Sequence, residues 1–241
     1  EVFHDVVQHT QVCCWRYRAI LEMELMSAMR YDLVIFDFDG TLADSTAWMM
    51  STLNVMARRH GFREIGPTEM DRLRALPTRE VMRTLKVSPW RLPLIAADMR
   101  RQSAADAASI PLYPGATDVL LELTDLGATL AVVSSNGEQT VRAVLGKAQH
   151  LVDVYECEAS LFGKASKLRK AMKRLAIPTD RTLYVGDETR DIDAARRAHV
   201  AAAAATWGYG HRKALEARRP TYALDSFSDL LRVTTNQRAP F

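Results

Sequence analysis

The sequence is poor in the features that mark secreted and membrane proteins. Its 241 residues include only three cysteines, Cys13, Cys14 and Cys157. An odd count with two adjacent members does not predict a disulfide framework. No apolar run approaches the roughly 20 residues that a transmembrane helix needs. We therefore expect a cytoplasmic protein that works without a membrane.

The sequence also has no large excess of positive or negative charge. Lysine and arginine number 32 against 29 aspartates and glutamates, which gives a formal net charge of +3. No run of basic and aromatic residues forms a pattern typical of a base-stacking surface. We expect no nucleic-acid partner. The sequence has 48% hydrophobic and 25% charged residues, a composition typical of ordinary globular domains.

Short apolar runs alternate along the chain with helical patterns. The runs predict strands at 31–36, 128–135, 182–187 and 200–206. The last run is rich in alanine, which favours helix, so this strand is predicted mainly from its place after a helix. Repeated βα units predict an α/β fold with a Rossmann-like parallel sheet core.

One long segment breaks this alternation. Residues 47–112 show helical patterns separated by prolines and no convincing strand. We interpret them as an all-helical cap domain inserted after the first strand. The α/β core then comprises residues 30–46 and 113–241. Residues 1–29 are expected to form an N-terminal extension outside the core.

Reactive polar residues follow the predicted strands. They are Asp37 and Asp39 after the first, Ser134, Ser135 and Asn136 after the second, Lys164 before a later helix, and Asp187, Glu188 and Asp191 after the third. The carboxyl ends of parallel strands meet at one edge of a sheet. Clustered carboxylates repel unless a cation lies between them, and all-oxygen ligands favour Mg²⁺. A lysine with hydroxyl and amide donors suits a phosphate.

These segments resemble the motifs of one known family. The sequence "DFDGTLADS" (37–45) is similar to the D-x-D-G-T signature of the haloacid dehalogenase-like (HAD) superfamily. "VVSSN" (132–136), Lys164 and "GDETRD" (186–191) resemble its second, third and fourth motifs, in the same order. The helical insert resembles the mobile cap of the phosphoglycolate phosphatase-like branch.

The resemblance implies an enzyme, a Mg²⁺-dependent phosphatase that hydrolyses a small phosphomonoester through an aspartyl-phosphate. Phosphoglycolate is the substrate that the branch name suggests, and a monomer or homodimer is expected. Asp37 would be the nucleophile, Asp39 the general acid and base, and Lys164 the group that neutralises developing charge.

The resemblance also implies a set of binding residues. The phosphate would be bound by Phe38, Gly40, Thr41, Ser134, Ser135 and Asn136. The metal would be bound by Asp37, Asp39 through its backbone carbonyl, Asp187, Glu188 and Asp191. Arg79 of the cap is the candidate for binding a carboxylate or phosphate of the substrate.

Alternatives remain open at three residues. Lys167 competes with Lys164, although Ser166 is a plausible helix N-cap and would leave Lys164 in a loop that can reach inward. Glu188 is either a metal-shell ligand or an acid placed at a helix N-terminus by the helix dipole. Arg79 is either a substrate-binding residue or a surface arginine.

Two other functions are compatible with the same motifs. A phosphomutase of the β-phosphoglucomutase type would keep all four of them. A binding protein that has lost catalysis would keep the fold, although four intact motifs argue against this interpretation. Dehalogenases and phosphonate hydrolases of similar fold are disfavoured, because they lack the acid that Asp39 provides.

Overall fold

The computed structural model describes residues 29–66, 68–160 and 163–235. Residues 1–28 of the predicted extension lie outside the described residues. Met29, the last residue of that predicted segment, is buried and forms an antiparallel bridge with Thr235. Across the described ranges, no helix combines the length and the apolar character that crossing a membrane requires.

A six-stranded sheet forms the centre of the fold, and all its neighbouring strands pair in parallel. The strands are β1 (Leu33–Phe36), β2 (Thr129–Val133), β3 (Val154–Glu156), β4 (Thr182–Gly186), β5 (Ala201–Ala205) and β6 (Tyr222–Leu224). Their spatial order is β3-β2-β1-β4-β5-β6. The predicted α/β fold with a Rossmann-like parallel sheet is confirmed. Sequence patterns missed β3 and β6, because three-residue strands carry no readable alternation.

Helices connect and cover these strands. In the described residues they are α1 (Thr46–His60), α2 (Met70–Arg74), α3 (Thr78–Thr84), α4 (Leu92–Ala105), α5 (Ala116–Asp125), α6 (Glu138–Leu145), α7 (Lys164–Leu175), α8 (Thr189–Ala198), α9 (Arg212–Ala217) and α10 (Phe227–Thr234). Helix α7 begins two residues before the predicted N-cap, Ser166, which therefore lies inside the helix. That part of the prediction was wrong.

Strand β1 is buried on both faces, which explains its continuous apolar sequence. Val34 and Phe36 point into one hydrophobic cluster, and Leu33 and Ile35 point into a second cluster on the other face. With β2 on one side and β4 on the other, β1 has no free edge. Its carboxyl end is consequently held by the whole core, and the residues that follow it start from a rigid position.

The alanine-rich strand β5 is confirmed despite the helix preference of its residues. Ala202 and Ala204 pack in the same hydrophobic cluster as Ala194, Ala195 and Ala198 of helix α8. Small side chains on both elements allow the helix to lie close to the sheet. Tertiary packing outweighs the intrinsic preference of alanine here, because propensity differences amount to only a few tenths of a kcal/mol per residue.

The described part of segment 47–112 contributes α1 to α4 and no strand of the sheet. Helices α1 and α4 pack against each other. The indole N–H of Trp48 on α1 donates to Asp106, just after α4, at 2.9 Å. The assignment of this segment to a separate cap domain stays a prediction.

Helix α5 offers a matched test of the core. Leu120 is fully buried, whereas its neighbour Leu121 is 48% exposed. We expect Leu120→Ala to lower the free energy of unfolding by about 2–5 kcal/mol through lost burial and a residual cavity. Leu121→Ala should change it by about 0.5 kcal/mol or less. Urea unfolding of both variants measures the difference, and equal losses would contradict this packing.

Candidate active site

Asp37 lies at the carboxyl end of β1, where its backbone N–H donates to Val185 of β4 at 2.8 Å. Its side chain is 3% exposed. Carboxylate Oδ1 accepts the N–H of Phe38 at 2.8 Å, and Oδ2 accepts from the ammonium of Lys164. The side chain of Phe38 packs in the core. Pairing of β1 with β4 therefore fixes the first predicted carboxylate.

Lys164 is the first residue of α7 and is almost fully buried. Its Nζ donates to Asp37 Oδ2 and, at 2.5 Å, to Oδ1 of Asp191. Lys167, the competing candidate, instead points to Glu156 of β3 at 3.4 Å. One ammonium thus serves two buried carboxylates, and it belongs to Lys164.

The pKa values of Asp37 and Asp191 shift in opposite directions. Burial raises the pKa of Asp37 to about 7, and the nearby Asp191 adds to this increase against the attraction of Lys164. Burial also disfavours ionisation of Asp191, but Lys164 and Arg190 outweigh it and lower the pKa of Asp191. Asp191 therefore carries its charge more readily than Asp37.

Asp187 follows β4 and is fully buried, yet only neutral donors hold it. Oδ1 accepts the hydroxyl of Thr41 at 3.0 Å, and Oδ2 accepts the N–H of Tyr209 at 2.7 Å. In the described ranges no basic side chain forms an ion pair with Asp187. Burial, together with the negative charges of Glu188 and Asp37, raises its pKa well above the usual range. Within the described part of the chain, a charged Asp187 therefore has no basic side chain as its counterion.

Three carboxylates converge here. Oxygens of Asp37, Asp187 and Asp191 all lie within 4.8 Å of one another, and all three residues are buried. This donor set is all oxygen, and when its three carboxyl groups are ionised it carries more negative charge than the ammonium of Lys164 balances. Such a set fits a hard divalent cation better than a transition metal that prefers nitrogen or sulfur.

Glu188 lies outside this group of three. It is the N-cap of α8, where its side chain and that of Asp191 form a capping box. Its Oε2 also accepts from Nε of Arg190 at 2.5 Å. These contacts correspond to the helix-terminal role that the sequence left open. Binding of a metal by Glu188 stays a prediction.

Asp39 is held apart from the other carboxylates. Its Oδ1 accepts the hydroxyl of Ser45 at 2.9 Å, and its Oδ2 accepts the side-chain amide of Asn136 at 2.8 Å. The hydroxyl of Tyr209 lies 2.5 Å from that of Ser45. Burial raises the pKa of Asp39, and the hydrogen bond from Ser45 opposes this shift. The side chain is positioned by neutral groups and can hold a proton.

The loop after β2 brings the second set of predicted residues to the same edge. Ser134 is fully buried, and its Oγ accepts the N–H of Asn136 at 3.0 Å, which leaves its own hydrogen for another acceptor. Asn136 binds Asp39, as described above. Ser135 and Asn136 both line a cavity that also reaches Asp39.

The backbone N–H groups predicted to bind phosphate are used within the turn. Gly40 donates to the carbonyl of Ala43 at 2.9 Å, and Thr41 donates to that of Phe38 at 3.2 Å. Both N–H groups therefore close the turn that leaves β1, and phosphate binding by Gly40 and Thr41 stays a prediction. The hydroxyl of Thr41 is likewise used, by Asp187.

Two glycines allow the loops of the site to approach each other. Gly40 has φ +77°, and a Cβ on it would lie 2.2 Å from Oδ2 of Asp187. A Cβ on Gly208 would lie 2.3 Å from both the Cβ of Asp187 and the carbonyl oxygen of Gly40. Real Cβ contacts are never this short, so side chains at 40 and 208 would displace Asp187.

The loop after β5 was not predicted to belong to the site. Besides Tyr209, it provides Trp207, whose indole N–H donates to the carbonyl of Thr41 at 3.0 Å. Arg74 of α2 donates to the carbonyls of Gly208 at 2.8 Å and Tyr209 at 2.6 Å. The sequence could have indicated this loop only through its place after a predicted strand, because the carboxyl end of β5 lies beside that of β4.

A cavity of about 670 Å³ opens beside Asp39. Its walls come from α1, α4 and the loops after β2 and β3, and its basic residues are Arg100 and Arg190. Arg79, the predicted substrate-binding residue, is exposed on α3 and is absent from this lining. Sequence analysis singled out neither Arg100 nor Arg190.

The chain is similar in sequence to known proteins. A phosphoglycolate phosphatase of Synechococcus elongatus is 33% identical over 204 residues, which cover 84% of this chain and 96% of the relative. The tyrosine-protein kinase PtkA of Mycobacterium tuberculosis is 30% identical over 188 residues, covering 74% of this chain and 63% of the relative.

Solved structures share the fold. A haloacid dehalogenase-like family protein from Streptococcus pneumoniae superposes with a TM-score of 0.69 at 20% identity, covering 84% of this chain and 98% of that one. The family model described as haloacid dehalogenase-like hydrolase matches residues 34–205. Family and relatives together support a phosphoric monoester hydrolase. The chain belongs to the haloacid dehalogenase-like hydrolases.

Proposed function

We propose that the protein is a Mg²⁺-dependent phosphatase that hydrolyses a small phosphomonoester through an aspartyl-phosphate. The arrangement of the carboxylates carries this proposal. Asp37 lies against Lys164 and within 4.8 Å of Asp187 and Asp191, while Asp39 is held separately at the cavity. The name of the Synechococcus relative makes phosphoglycolate the candidate substrate. A cytoplasmic location and a monomer or homodimer stay predictions.

In the first step, a carboxylate oxygen of Asp37 attacks phosphorus and the bond to the ester oxygen breaks. The departing alkoxide takes a proton from Asp39. In the second step, the carboxylate of Asp39 removes a proton from water, whose oxygen attacks phosphorus. The bond between phosphorus and Asp37 then breaks, phosphate leaves, and both carboxyl groups return to their initial states.

The surroundings of Asp39 support its role in proton transfer. Burial raises the pKa of Asp39, so the protonated form is available to the leaving group. Hydrogen bonds from Ser45 and Asn136 fix the orientation of the carboxyl group. Among the described residues no basic side chain forms an ion pair with Asp39, and the positive charges of Lys164 and Arg190 lower its pKa by less than burial raises it.

Charge on the phosphoryl group requires compensation. Lys164 already contacts the nucleophile, and the hydroxyl of Ser134 has a hydrogen to donate at the adjacent strand end. Asp37, Asp187 and Asp191 would hold Mg²⁺, which supplies positive charge between the phosphate and the carboxylates. This donor set supports Mg²⁺ because all its ligand atoms are oxygens.

Replacing the nucleophile tests the proposal directly. We expect Asp37→Asn to reduce release of inorganic phosphate from a panel of phosphomonoesters by about 10³-fold or more. Asp180→Asn is the matched control, because Asp180 is exposed and precedes β4 at the opposite edge of the sheet. Undiminished activity of Asp37→Asn would refute the proposal, and an isomerised sugar phosphate as the main product would indicate a mutase.

Metal removal gives a second test. EDTA should abolish turnover, and added Mg²⁺ should restore it. Mg²⁺ at about 100 times its Kd should also stabilise the folded protein by about 3 kcal/mol through binding linkage. We expect this stabilisation to vanish in Asp187→Asn, as measured by thermal unfolding. Full turnover after exhaustive treatment with EDTA would contradict the site as described.

The effect of Mg²⁺ should depend on pH. The pKa of Asp37 is raised to about 7, so below that pH a proton occupies the carboxylate and competes with the metal. Because binding must displace this proton, Mg²⁺ should raise the unfolding temperature more at about pH 8 than at about pH 6. Calorimetric titration of Mg²⁺ should show the same increase in affinity, and affinity independent of pH would contradict the raised pKa.

A further inference from the structure

The cavity beside Asp39 is lined by both apolar and charged side chains. Apolar side chains of α1 and α4 form much of the wall, among them Trp48, Met49, Ile95 and Met99. Its volume of about 670 Å³ lies within the range of about 300–1,000 Å³ that is typical of small-molecule sites. The space therefore accommodates the leaving group of a substrate whose phosphate lies near Asp37 and Asp39.

Arg100 of α4 interrupts this apolar wall. Its side chain is half-buried and lines the cavity. Within the described part of the chain, no carboxylate lies within ion-pair distance of Arg100, and its guanidinium makes no hydrogen bond. Arg101, the next residue on the same helix, is instead paired with Asp98. The guanidinium of Arg100 is therefore available to an anion that enters the cavity.

The other charged groups of the lining do not provide that anion. Arg190 is paired with Glu188 at the site end of the cavity. Asp39 uses its two carboxylate oxygens for Ser45 and Asn136. Glu158 is exposed and forms no ion pair with Arg100. Among the described residues, Arg100 is thus a cation without a carboxylate partner, and it lines the same cavity as Asp39.

We infer that Arg100 binds a second anionic group of the substrate, carried by the leaving alcohol and distinct from the phosphate that is hydrolysed. The planar guanidinium presents a fork of N–H donors that matches an oxyanion such as a carboxylate. The preferred substrates are then phosphomonoesters of hydroxy acids or other anionic alcohols. This inference rests on the proposed function, and it assigns to Arg100 the role that sequence analysis gave to Arg79.

Binding of unreactive analogues tests the inference without turnover. The probes are ω-carboxyalkylphosphonates of increasing chain length, each compared with the n-alkylphosphonate of equal length, in calorimetric titrations with Mg²⁺ present. At the best length, the carboxylate should increase affinity by about tenfold or more in the parent protein. The same series with a terminal phosphonate shows whether a carboxylate or a phosphate is the better oxyanion.

Substitutions at neighbouring positions of α4 distinguish loss of anion binding from general destabilisation of the protein. In Arg100→Met the affinity ratio between each charged probe and its uncharged partner should fall close to one, whereas Arg101→Met should keep the parent ratio. Arg100→Lys should give an intermediate ratio, because the charge remains and the planar fork is lost. The inference is overturned if the parent shows no preference at any length, or if Arg100→Met retains it.

A second measurement distinguishes failure of the inference about Arg100 from failure of the proposed phosphatase function. Phosphate release from the corresponding phosphate esters is measured in parallel, together with the Asp37→Asn variant. A carboxylate preference that depends on Arg100, with no phosphate release, would support Arg100 as an anion-binding residue and refute the phosphatase. Phosphate release that does not distinguish charged from uncharged alcohols, in parent and Arg100→Met alike, would refute the inference alone.

Discussion

The ammonium of Lys164, placed between the buried carboxylates of Asp37 and Asp191, is the contact on which the site depends. Each partner comes from a different element: the end of β1, the start of α7 and the first turn of α8. Removing one partner would leave a buried charge uncompensated, which typically costs about 3–5 kcal/mol. The three elements must therefore keep their relative positions, and the pairing of β1 with β4 and the packing of α7 against α8 both contribute to this.

Around this contact, one edge of the sheet carries three electrostatic environments. Asp37 and Asp191 share a cation, Asp187 is buried among neutral donors, and Asp39 is held by a hydroxyl and an amide. In turn, the ammonium supports the charged form of Asp37 against the effect of burial, the surroundings of Asp187 suit a cation, and Asp39 can hold a transferable proton. Carboxylates of identical chemistry are assigned to different tasks by their neighbours, in accordance with the way that burial and charge shift acidity.

Many of the residues at this edge could be predicted from the sequence, because the carboxyl ends of parallel strands lie at the same edge of a sheet. That rule correctly placed Asp37 and Asp187, and Lys164 reaches the site although it lies in a helix instead of the predicted loop. Contacts between distant segments could not be predicted. Helical periodicity gave no means of knowing that Arg100, rather than Arg79, faces the cavity, because this depends on how the helices pack.

Arg74 connects two parts of the molecule that the sequence separates by more than a hundred residues. Its guanidinium holds the carbonyls of Gly208 and Tyr209, while the N–H of Tyr209 holds Asp187. Moving α2 away from this loop would remove both hydrogen bonds and loosen the amide that orients Asp187. The position of α2 thus contributes to the orientation of Asp187, although α2 itself does not contact that carboxylate through any of these hydrogen bonds.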